Sequence, residues 1–190
     1  MPEIFTHIGM KLRKSSKDGG CTIEIEFHST AEDTLFNGSI DIDTLKTLIC
    51  NTKNISESIS DGLASDYMSE LEKADAVYEC LIKSVEYGDT ENPYSYTAYA
   101  ALSDRIAVCQ GYSAAFNMLC DALGVKALAV FNDEHMWNVV LSDGKLYHYD
   151  VTLDDAGSCS YRKYCRIPEE EFIEDDHHKN YTLPHIDLFK

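Results

Sequence analysis

The chain has 190 residues, of which 44% are hydrophobic and 26% charged, a composition typical of a folded globular domain. Its 33 acidic and 16 basic residues give a formal net charge of -17, which repels nucleic-acid phosphates and anionic lipid headgroups. No apolar run reaches the roughly 18 residues of a spanning helix, and the first residues lack the apolar core of a signal peptide. We therefore expect no nucleic-acid partner, no membrane span and a cytoplasmic location, unless a longer natural chain carries an export signal.

Two alternating runs near the N-terminus predict a β-hairpin. Apolar and polar residues alternate over residues 8–12 and again over residues 23–27, and the turn-rich stretch 15–20 separates the two runs. We place the hairpin over residues 4–29. Residues 41–59 then follow a weak helical period.

A clearer helical pattern covers residues 66–86. Either Ser65 or Ser69 can cap this helix, and Ser69 stands three residues before Glu72, the spacing of a capping box. The apolar residues of this stretch recur at helical spacing, so we expect one face to be buried.

The next segment places a cysteine at the start of a second helix. Residues 89–96 are typical of a loop, and residues 97–102 of a short helical segment. From Gly111 an apolar stripe indicates a longer helix, which Gly124 is well placed to end. Cys109 therefore lies at or near the N-terminus of that helix.

Three strands follow, the last two joined by the hairpin turn Asp143-Gly144. Beyond residue 155 the pattern weakens, and residues 168–178 read as an acidic, solvated connector. These elements predict an α+β fold in which the helix that begins near Cys109 packs on an antiparallel sheet. The predicted strands cover residues 125–131, 135–142 and 145–152.

Cys109 is the candidate nucleophile. A thiol reacts as its thiolate, and the unpaired N–H groups of a helix N-terminus stabilise that anion. Cys120, two to three turns into the same helix, lacks this environment. The alternative is that Cys109 is an inert buried side chain, since free cysteine is among the most buried residues. Seven cysteines without a C-x-x-C pair favour a reducing compartment rather than a disulfide framework.

The hairpin turn brings a histidine and a carboxylate to one face of the sheet. A two-residue turn places Trp137 opposite Asp150 and His135 opposite Thr152, so His135 and Asp150 become diagonal neighbours. A cysteine nucleophile needs an imidazole that a carboxylate orients. His148 shares this face and is an alternative base, but no acid is as well placed for it, so we expect a packed histidine. The other histidines are expected at the surface: His7, His28, His177, His178 and His185.

The same side chains could in principle bind zinc. Their wide spacing, however, lacks the local ligand pairs of recognised zinc sites, and no calcium-binding motif is present. We therefore predict no metal site and no cofactor.

Taken together, these motifs resemble the transglutaminase-like superfamily, a branch of the papain-like folds with Cys, His and Asp in that chain order. The resemblance, to a bacterial-type domain, covers about residues 75–156, and the DHH…LP region at residues 176–184 is a further candidate stretch. It implies that residues 61–190 form a transglutaminase-like core within one compact domain overall, preceded by a hairpin and helix of uncertain role in residues 1–60. The matching stretches are SYTAYAALSDRIAVCQGYSAAFNMLCDALGV and EHMWNVVLSDGKLYHYDVTLDD.

The resemblance also implies roles. Cys109 would be the nucleophile, His135 the general base and then acid, and Asp150 the residue that fixes the histidine tautomer. The backbone N–H of Cys109 would donate one hydrogen bond to the oxyanion. Papain-like proteases take a second donor from a glutamine six residues before the nucleophile, where this chain has Ser103. Gln110, which follows the cysteine, is a further candidate.

Two aromatic residues are candidates for the groove around this site. Tyr112 is a candidate groove wall, and Trp137 is either a core aromatic or a lid over the His–Asp pair. Met136 and Leu153 replace the alanine and tryptophan that are frequent in relatives. These two changes bear on the substrate rather than on the mechanism.

We therefore favour a cysteine-dependent acyl-transfer enzyme of the protease or amidase type, which hydrolyses peptide or isopeptide amides through a thioester. Cross-linking or deamidation of the transglutaminase type is the alternative, although nothing in the sequence indicates an amine-binding site. A catalytically silent module that binds a peptide in the same groove is a further alternative, and the intact triad argues against it. The predicted partner is a peptide or protein substrate, and the sequence does not determine the oligomeric state.

Overall fold

The computed structural model describes residues 8–17, 20–29, 42–88, 91–156, 162–172, 176–181 and 183. Helices and an antiparallel sheet form a mixed α+β fold, as predicted. No helix among these residues is long and apolar enough to cross a membrane. In chain order the elements are β1 (Ile8–Lys17), β2 (Gly20–Ser29), α1 (Ile42–Leu63), α2 (Glu70–Ser84), β3 (Glu86–Tyr87), a 3-10 turn (Pro93–Tyr96), a π-helical turn (Ala100–Asp104), β4 (Ile106–Ala107), α3 (Cys109–Ala122), β5 (Ala127–Phe131), β6 (Met136–Ser142), β7 (Lys145–Tyr149), α4 (Val151–Ala156), β8 (Ile167–Pro168) and a second 3-10 turn (Glu169–Glu171).

The N-terminal elements match the predicted hairpin and helix. Strands β1 and β2 pair antiparallel, from Ile8 opposite Ser29 to Lys17 opposite Gly20, whereas residues 4–7 of the prediction lie outside the described residues. Helix α1 is longer than predicted and continues through residue 60. Its C-terminal half packs on the core, where the Ser60 hydroxyl donates to the Leu119 carbonyl at 3.4 Å. The proposed boundary at residue 60 thus falls inside this helix.

Helix α2 begins four residues later than predicted because Ser69, rather than Ser65, caps it. The Ser69 hydroxyl accepts from the Glu72 backbone N–H at 3.3 Å, and the Glu72 carboxylate accepts from the Ser69 N–H at 2.8 Å. This confirms the capping box. The helix buries one face against α3 and the sheet. The buried residues of α2 are Ala74, Val77, Tyr78 and Leu81.

Helix α3 is the central element, and its first turn is tightly packed. Strand β4 leads directly into it, and the Val108 N–H donates to the Ser95 carbonyl at 3.0 Å. A Cβ at Gly111 would lie 2.5 Å from that carbonyl and 2.8 Å from the Ala107 Cβ. Only glycine therefore allows the start of α3 to dock on the chain before it.

Gly111→Ala should consequently destabilise the protein by about 2 kcal/mol, because the new methyl group forces backbone apart at the start of α3. Gly62→Ala, in helix α1, is the matched control. A Cβ at Gly62 meets nothing within 4 Å, so that change should be neutral or stabilising. Urea unfolding of both variants checks this, and equal midpoints would refute the tight packing at Gly111.

Strands β5 to β8 form an antiparallel sheet in sequential order. Ser142 pairs with Lys145 and Asn138 with Tyr149, which confirms the predicted register. Asp143 (φ 50°) and Gly144 (φ 76°) both have positive φ, as a two-residue turn of this hand requires.

The prediction that the last strand continues to residue 152 is wrong. The chain leaves the sheet after Tyr149, so Trp137 does not pair with Asp150, nor His135 with Thr152, within the sheet. The Asp150 N–H donates instead to the Tyr164 carbonyl at 2.9 Å. Its carboxylate accepts from the Leu153 N–H at 3.0 Å, the contact of a helix N-cap, and α4 starts here.

The prediction of a solvated connector at residues 168–178 is also wrong for the described part of that stretch. Strand β8 adds to the sheet, with Pro168 opposite Tyr147. Phe172, Tyr181 and Leu183 pack on a cluster that contains Trp137. A few apolar side chains lie among the acidic residues of this segment. Burial of those apolar side chains stabilises the segment on the sheet.

Candidate active site

Cys109 is the first residue of α3, with Val108 as the N-cap residue. The thiol is half-buried, which leaves it accessible. The first N–H groups of a helix have no partner inside the helix and carry partial positive charge, so they stabilise an anion at this position. The predicted location of Cys109 at a helix N-terminus is confirmed.

His135 and Asp150 meet across the sheet edge. The His135 Nε2 lies 2.6 Å from the Asp150 Oδ2, and the Asp150 side chain is 1% exposed. His135 precedes β6, where its backbone N–H donates to the Asn132 side-chain oxygen at 2.8 Å. Asp150 is fixed by its position between β7 and α4. Two different backbone turns thus aim the imidazole and the carboxylate at each other.

The hydrogen bonds determine the tautomer of His135. A carboxylate oxygen can only accept, so the proton of this bond belongs to the His135 Nε2. The Cys109 side chain is close enough to His135 to raise the pKa of the imidazole. Since Asp150 engages Nε2, Nδ1 is the ring nitrogen left for Cys109. The structure therefore brings Cys109, His135 and Asp150 into one connected row.

The side chains of this row shift one another's pKa values. Burial alone would lower the pKa of His135, but its hydrogen bonds with Asp150 and Cys109 outweigh burial and raise the pKa to about 10. Burial would raise the pKa of Asp150, yet the hydrogen bonds from His135 and His178 lower it. With its pKa raised in this way, the imidazole of His135 is protonated at neutral pH.

The prediction of His178 as a surface residue is wrong. Its side chain is 0% exposed, and its Nε2 lies 2.9 Å from the Asp150 Oδ2, the oxygen that also binds His135. The contact joins residues 28 positions apart through irregular backbone, where no periodic pattern could signal it. His177 is exposed, as predicted, whereas His7 and His185 lie outside the described residues.

Comparison with known proteins identifies the family. The model of the transglutaminase-like superfamily matches residues 54–151, just over half of the chain. The chain belongs to the transglutaminase-like superfamily. No curated protein matches the sequence significantly. Membership of this superfamily supports a general assignment as a cysteine-dependent enzyme. The cysteine, histidine and aspartate that lie in one row agree with that assignment.

Several solved structures are similar at low sequence identity. A TGase is 14% identical with a TM-score of 0.47, over 88% of this chain and 50% of that one. A candidate cysteine protease from Cytophaga hutchinsonii is 14% identical with a TM-score of 0.43, over 76% and 62% of the two chains. Menin is 20% identical with a TM-score of 0.47, over 72% and 30%. This chain thus spans about half of the TGase chain.

Trp137 borders the site in this member of the transglutaminase-like superfamily. Its ring is 1% exposed and stacks on His135, with the centroids 5.8 Å apart and the planes at 17°. Trp137 is therefore a core aromatic whose ring also covers one face of the imidazole. It has features of both predicted alternatives, the core residue and the lid. Apolar cover of this kind excludes water from the bond between His135 and Asp150.

His148 is a packed histidine rather than the base. It is 0% exposed, its Nδ1 accepts from the Trp137 Nε1 at 3.0 Å, and its Nε2 binds the Glu169 carboxylate. Both ring nitrogens are thus engaged away from Cys109, and burial lowers the pKa of His148. The sequence did not indicate Glu169 as its acid.

The two candidates for the second oxyanion donor differ in environment. Ser103 is exposed within the π-helical turn. Gln110 is 5% exposed, and its Nε2 has no hydrogen-bond partner among the described residues. A buried amide without a partner is costly, so Gln110 has a donor available for a ligand. The role of each residue stays a prediction.

A cavity of about 740 Å³ has residues of β3 and β4 in its wall, Tyr87 among them, but none of Cys109, His135 and Asp150 lines it. The Tyr87 ring stacks on Tyr112 at 6.5 Å, and the pKa of Tyr87 is raised by burial and by the nearby Cys109. The Tyr112 hydroxyl donates to Asp155, another residue of the cavity wall. Tyr112 thus lies behind the wall of this cavity, and its predicted place in a substrate groove stays a prediction.

One cluster among the described residues has the donor types of a metal site. Suitable atoms of His135, Asp150 and His178 lie within 4.8 Å of one another. Their separations of 2.6 and 2.9 Å are hydrogen-bond distances, and two Nε2–H donors on one carboxylate explain the cluster in full.

Proposed function

We propose that the chain is a cysteine-dependent hydrolase that cleaves peptide or isopeptide amides through a thioester. Cys109 serves as the nucleophile, His135 as the proton carrier and Asp150 as the group that orients His135. The observation that carries the proposal is the position of His135, whose Nε2 lies 2.6 Å from the Asp150 carboxylate and whose imidazole is close enough to Cys109 for the cysteine to raise its pKa.

The first half of the reaction uses the ion pair of Cys109 and His135. The Cys109 thiolate attacks the amide carbonyl carbon, a C–S bond forms, and the carbonyl electrons move to the oxygen. The oxyanion accepts from the N–H of Cys109 and from a second donor, for which Gln110 is the candidate. As the tetrahedral intermediate collapses, the C–N bond breaks and His135 gives its Nδ1 proton to the leaving amine.

The second half consumes water. Neutral His135 takes a proton at Nδ1 from water, whose oxygen attacks the thioester carbonyl. The C–S bond then breaks, the acid is released, and the thiolate and imidazolium are restored. Throughout, Asp150 keeps the proton on Nε2, so Nδ1 alone exchanges protons with the reactants.

Water is the acceptor in this proposal. Transfer of the acyl group to an amine requires instead that water be excluded from the thioester. Transamidation is therefore the second candidate.

The reactivity of Cys109 towards iodoacetamide between about pH 4 and pH 11 tests the proposal. Near pH 6 Cys109 should react at least about tenfold faster than the exposed Cys50, because an ordinary thiol has a pKa near 8.5 and is almost fully protonated there. His135→Ala should remove this advantage. Equal rates at Cys109 and Cys50 throughout would contradict the proposal, and peptide mass spectrometry reads each cysteine separately.

At high pH the rate of amide hydrolysis should depend on pH differently from the rate of alkylation. The leaving amine takes a proton from His135, and the raised pKa keeps that proton bound until about pH 10. Hydrolysis should therefore persist into mildly alkaline solution and fall as the pH rises through about 10, whereas alkylation should not. Amine incorporation exceeding hydrolysis, measured with a peptide library and a fluorescent primary amine, would favour transamidation instead.

A further inference from the structure

We propose that His178 is a positioning residue of this site, a second imidazole that holds the Asp150 carboxylate in place for His135. The inference rests on the proposed function, because it assigns a role within the same row of groups. His178 acts through Asp150 rather than on the substrate.

The geometry of Asp150 shows what His178 adds. The Oδ2 accepts from the Nε2 of His135 at 2.6 Å and from the Nε2 of His178 at 2.9 Å, while the Oδ1 accepts from the Leu153 N–H at 3.0 Å. Both oxygens are therefore bonded, which fixes the plane of the carboxylate. Without His178, His135 would be the one donor left on that oxygen among the described residues.

Because Asp150 is buried, the hydrogen bond from His178 is important for the stability of the carboxylate anion. Asp150 is 1% exposed, so water cannot replace a lost donor without a rearrangement of the packing. A buried carboxylate is stable as an anion only when hydrogen bonds compensate for the lost hydration. His178 is one of three donors that provide this compensation, and hydrogen bonds to charged groups are about twice as strong as neutral ones.

The surroundings of His178 hold it in one orientation. Its ring makes edge contacts with Trp137 and Phe172, both with centroids 4.9 Å away, and it packs on Tyr164 at 4.8 Å. Tyr164 also accepts the backbone N–H of Asp150. The segment that contains His178 and the segment that turns the chain at Asp150 thus form one packed unit.

Simple packing does not explain the choice of residue. The pocket of Trp137, Phe172 and Tyr164 is aromatic, and phenylalanine would fill it without burying polar nitrogens. A histidine is favourable in this position because its Nε2–H has a charged acceptor. Loss of that donor should leave the Asp150 anion less stable and freer to rotate, so Asp150 should gain a proton at higher pH and orient His135 less well.

The test uses iodoacetamide on the full chain with three variants. His178→Phe removes the donor and keeps an aromatic ring, and His178→Gln offers an amide N–H in its place. Asp176→Asn, at a 98% exposed side chain two residues away, is the control. Near pH 6 the alkylation rate of Cys109 should fall about tenfold in His178→Phe, and the acid limb should move to higher pH. His178→Gln should restore part of the rate, and Asp176→Asn should match the parent.

Imidazole NMR supplies a second readout that packing alone would not change. The parent should show low-field Nε2–H protons from the three imidazoles bonded to carboxylates, His135, His148 and His178. His178→Phe should remove the His178 signal and shift that of His135. A parent in which Cys109 is no faster than Cys50 refutes the proposed function. A fast parent with an unchanged pH profile in His178→Phe refutes only the role of His178. Lower thermal stability without a profile shift refutes it equally, and if His178→Phe does not fold, the profile of His178→Gln decides.

Discussion

Replacement of Cys109 by alanine should abolish amide hydrolysis, with a loss of about four orders of magnitude or more, while the protein stays folded. In the proposed mechanism Cys109 alone forms the acyl intermediate, since His135 and Asp150 are assigned to moving and holding protons. The change should cost little stability because Cys109 is half-buried at the first position of its helix.

Cys120→Ala is the matched control in the same helix. Cys120 is 0% exposed in the core, and burial raises the pKa of its thiol. Its truncation should therefore cost on the order of 1 kcal/mol of stability, through lost packing, and leave the rate unchanged. Initial rates on an amide substrate and thermal unfolding separate the two effects. If Cys109→Ala unfolds far below the parent and Cys109 is unreactive, the thiol is structural.

The sequence predicted those parts of the fold that depend on local signals. The glycine of the Asp143-Gly144 turn and the alternating strands specified the register of β6 and β7, and the capping box specified the start of α2. The helical stripe ending at Gly124 placed Cys109 at a helix N-terminus. Short-range rules suffice in such cases because neighbouring residues determine the outcome.

The parts that failed depend on contacts between distant residues. Strand β7 ends at Tyr149, and the next N–H, that of Asp150, donates to the Tyr164 carbonyl, a contact that no pattern in either segment reveals. His178 and Glu169 reach the site from an irregular, acidic stretch without periodicity. One local signal did exist: an aspartate three residues before Leu153 is a helix N-cap pattern, and it predicts α4 in place of the longer strand.

Asp150→Asn should lower both Cys109 reactivity near pH 6 and hydrolysis by about a hundredfold or more. The Asp150 carboxylate accepts three N–H bonds, from His135, His178 and Leu153. Asparagine has one accepting oxygen and a donating NH₂ group, so it cannot accept both from Leu153 and from the two imidazoles. With its oxygen towards Leu153, the NH₂ meets the two imidazoles, and His135 must accept at Nε2 and carry its proton on Nδ1.

That tautomer cannot take a proton from Cys109, which is why the loss should appear in reactivity as well as in turnover. The loss of a negative charge beside His135 should also lower the pKa of its imidazole. Asp133→Asn is the control, since Asp133 is an exposed acid in the loop before His135. It removes a nearby charge without touching the row, so its effect should be small. An unchanged rate in Asp150→Asn would mean that another group orients His135.

The combination of Asp150→Asn with His178→Phe separates the roles of the two residues. If His178 acts through the Asp150 carboxylate, the second substitution should cost much less in the asparagine background than in the parent. It could even restore some reactivity, because a single asparagine oxygen would then serve His135 without competition from a second imidazole. Independent, additive losses would instead mean that His178 supports Cys109 by a route that does not pass through Asp150.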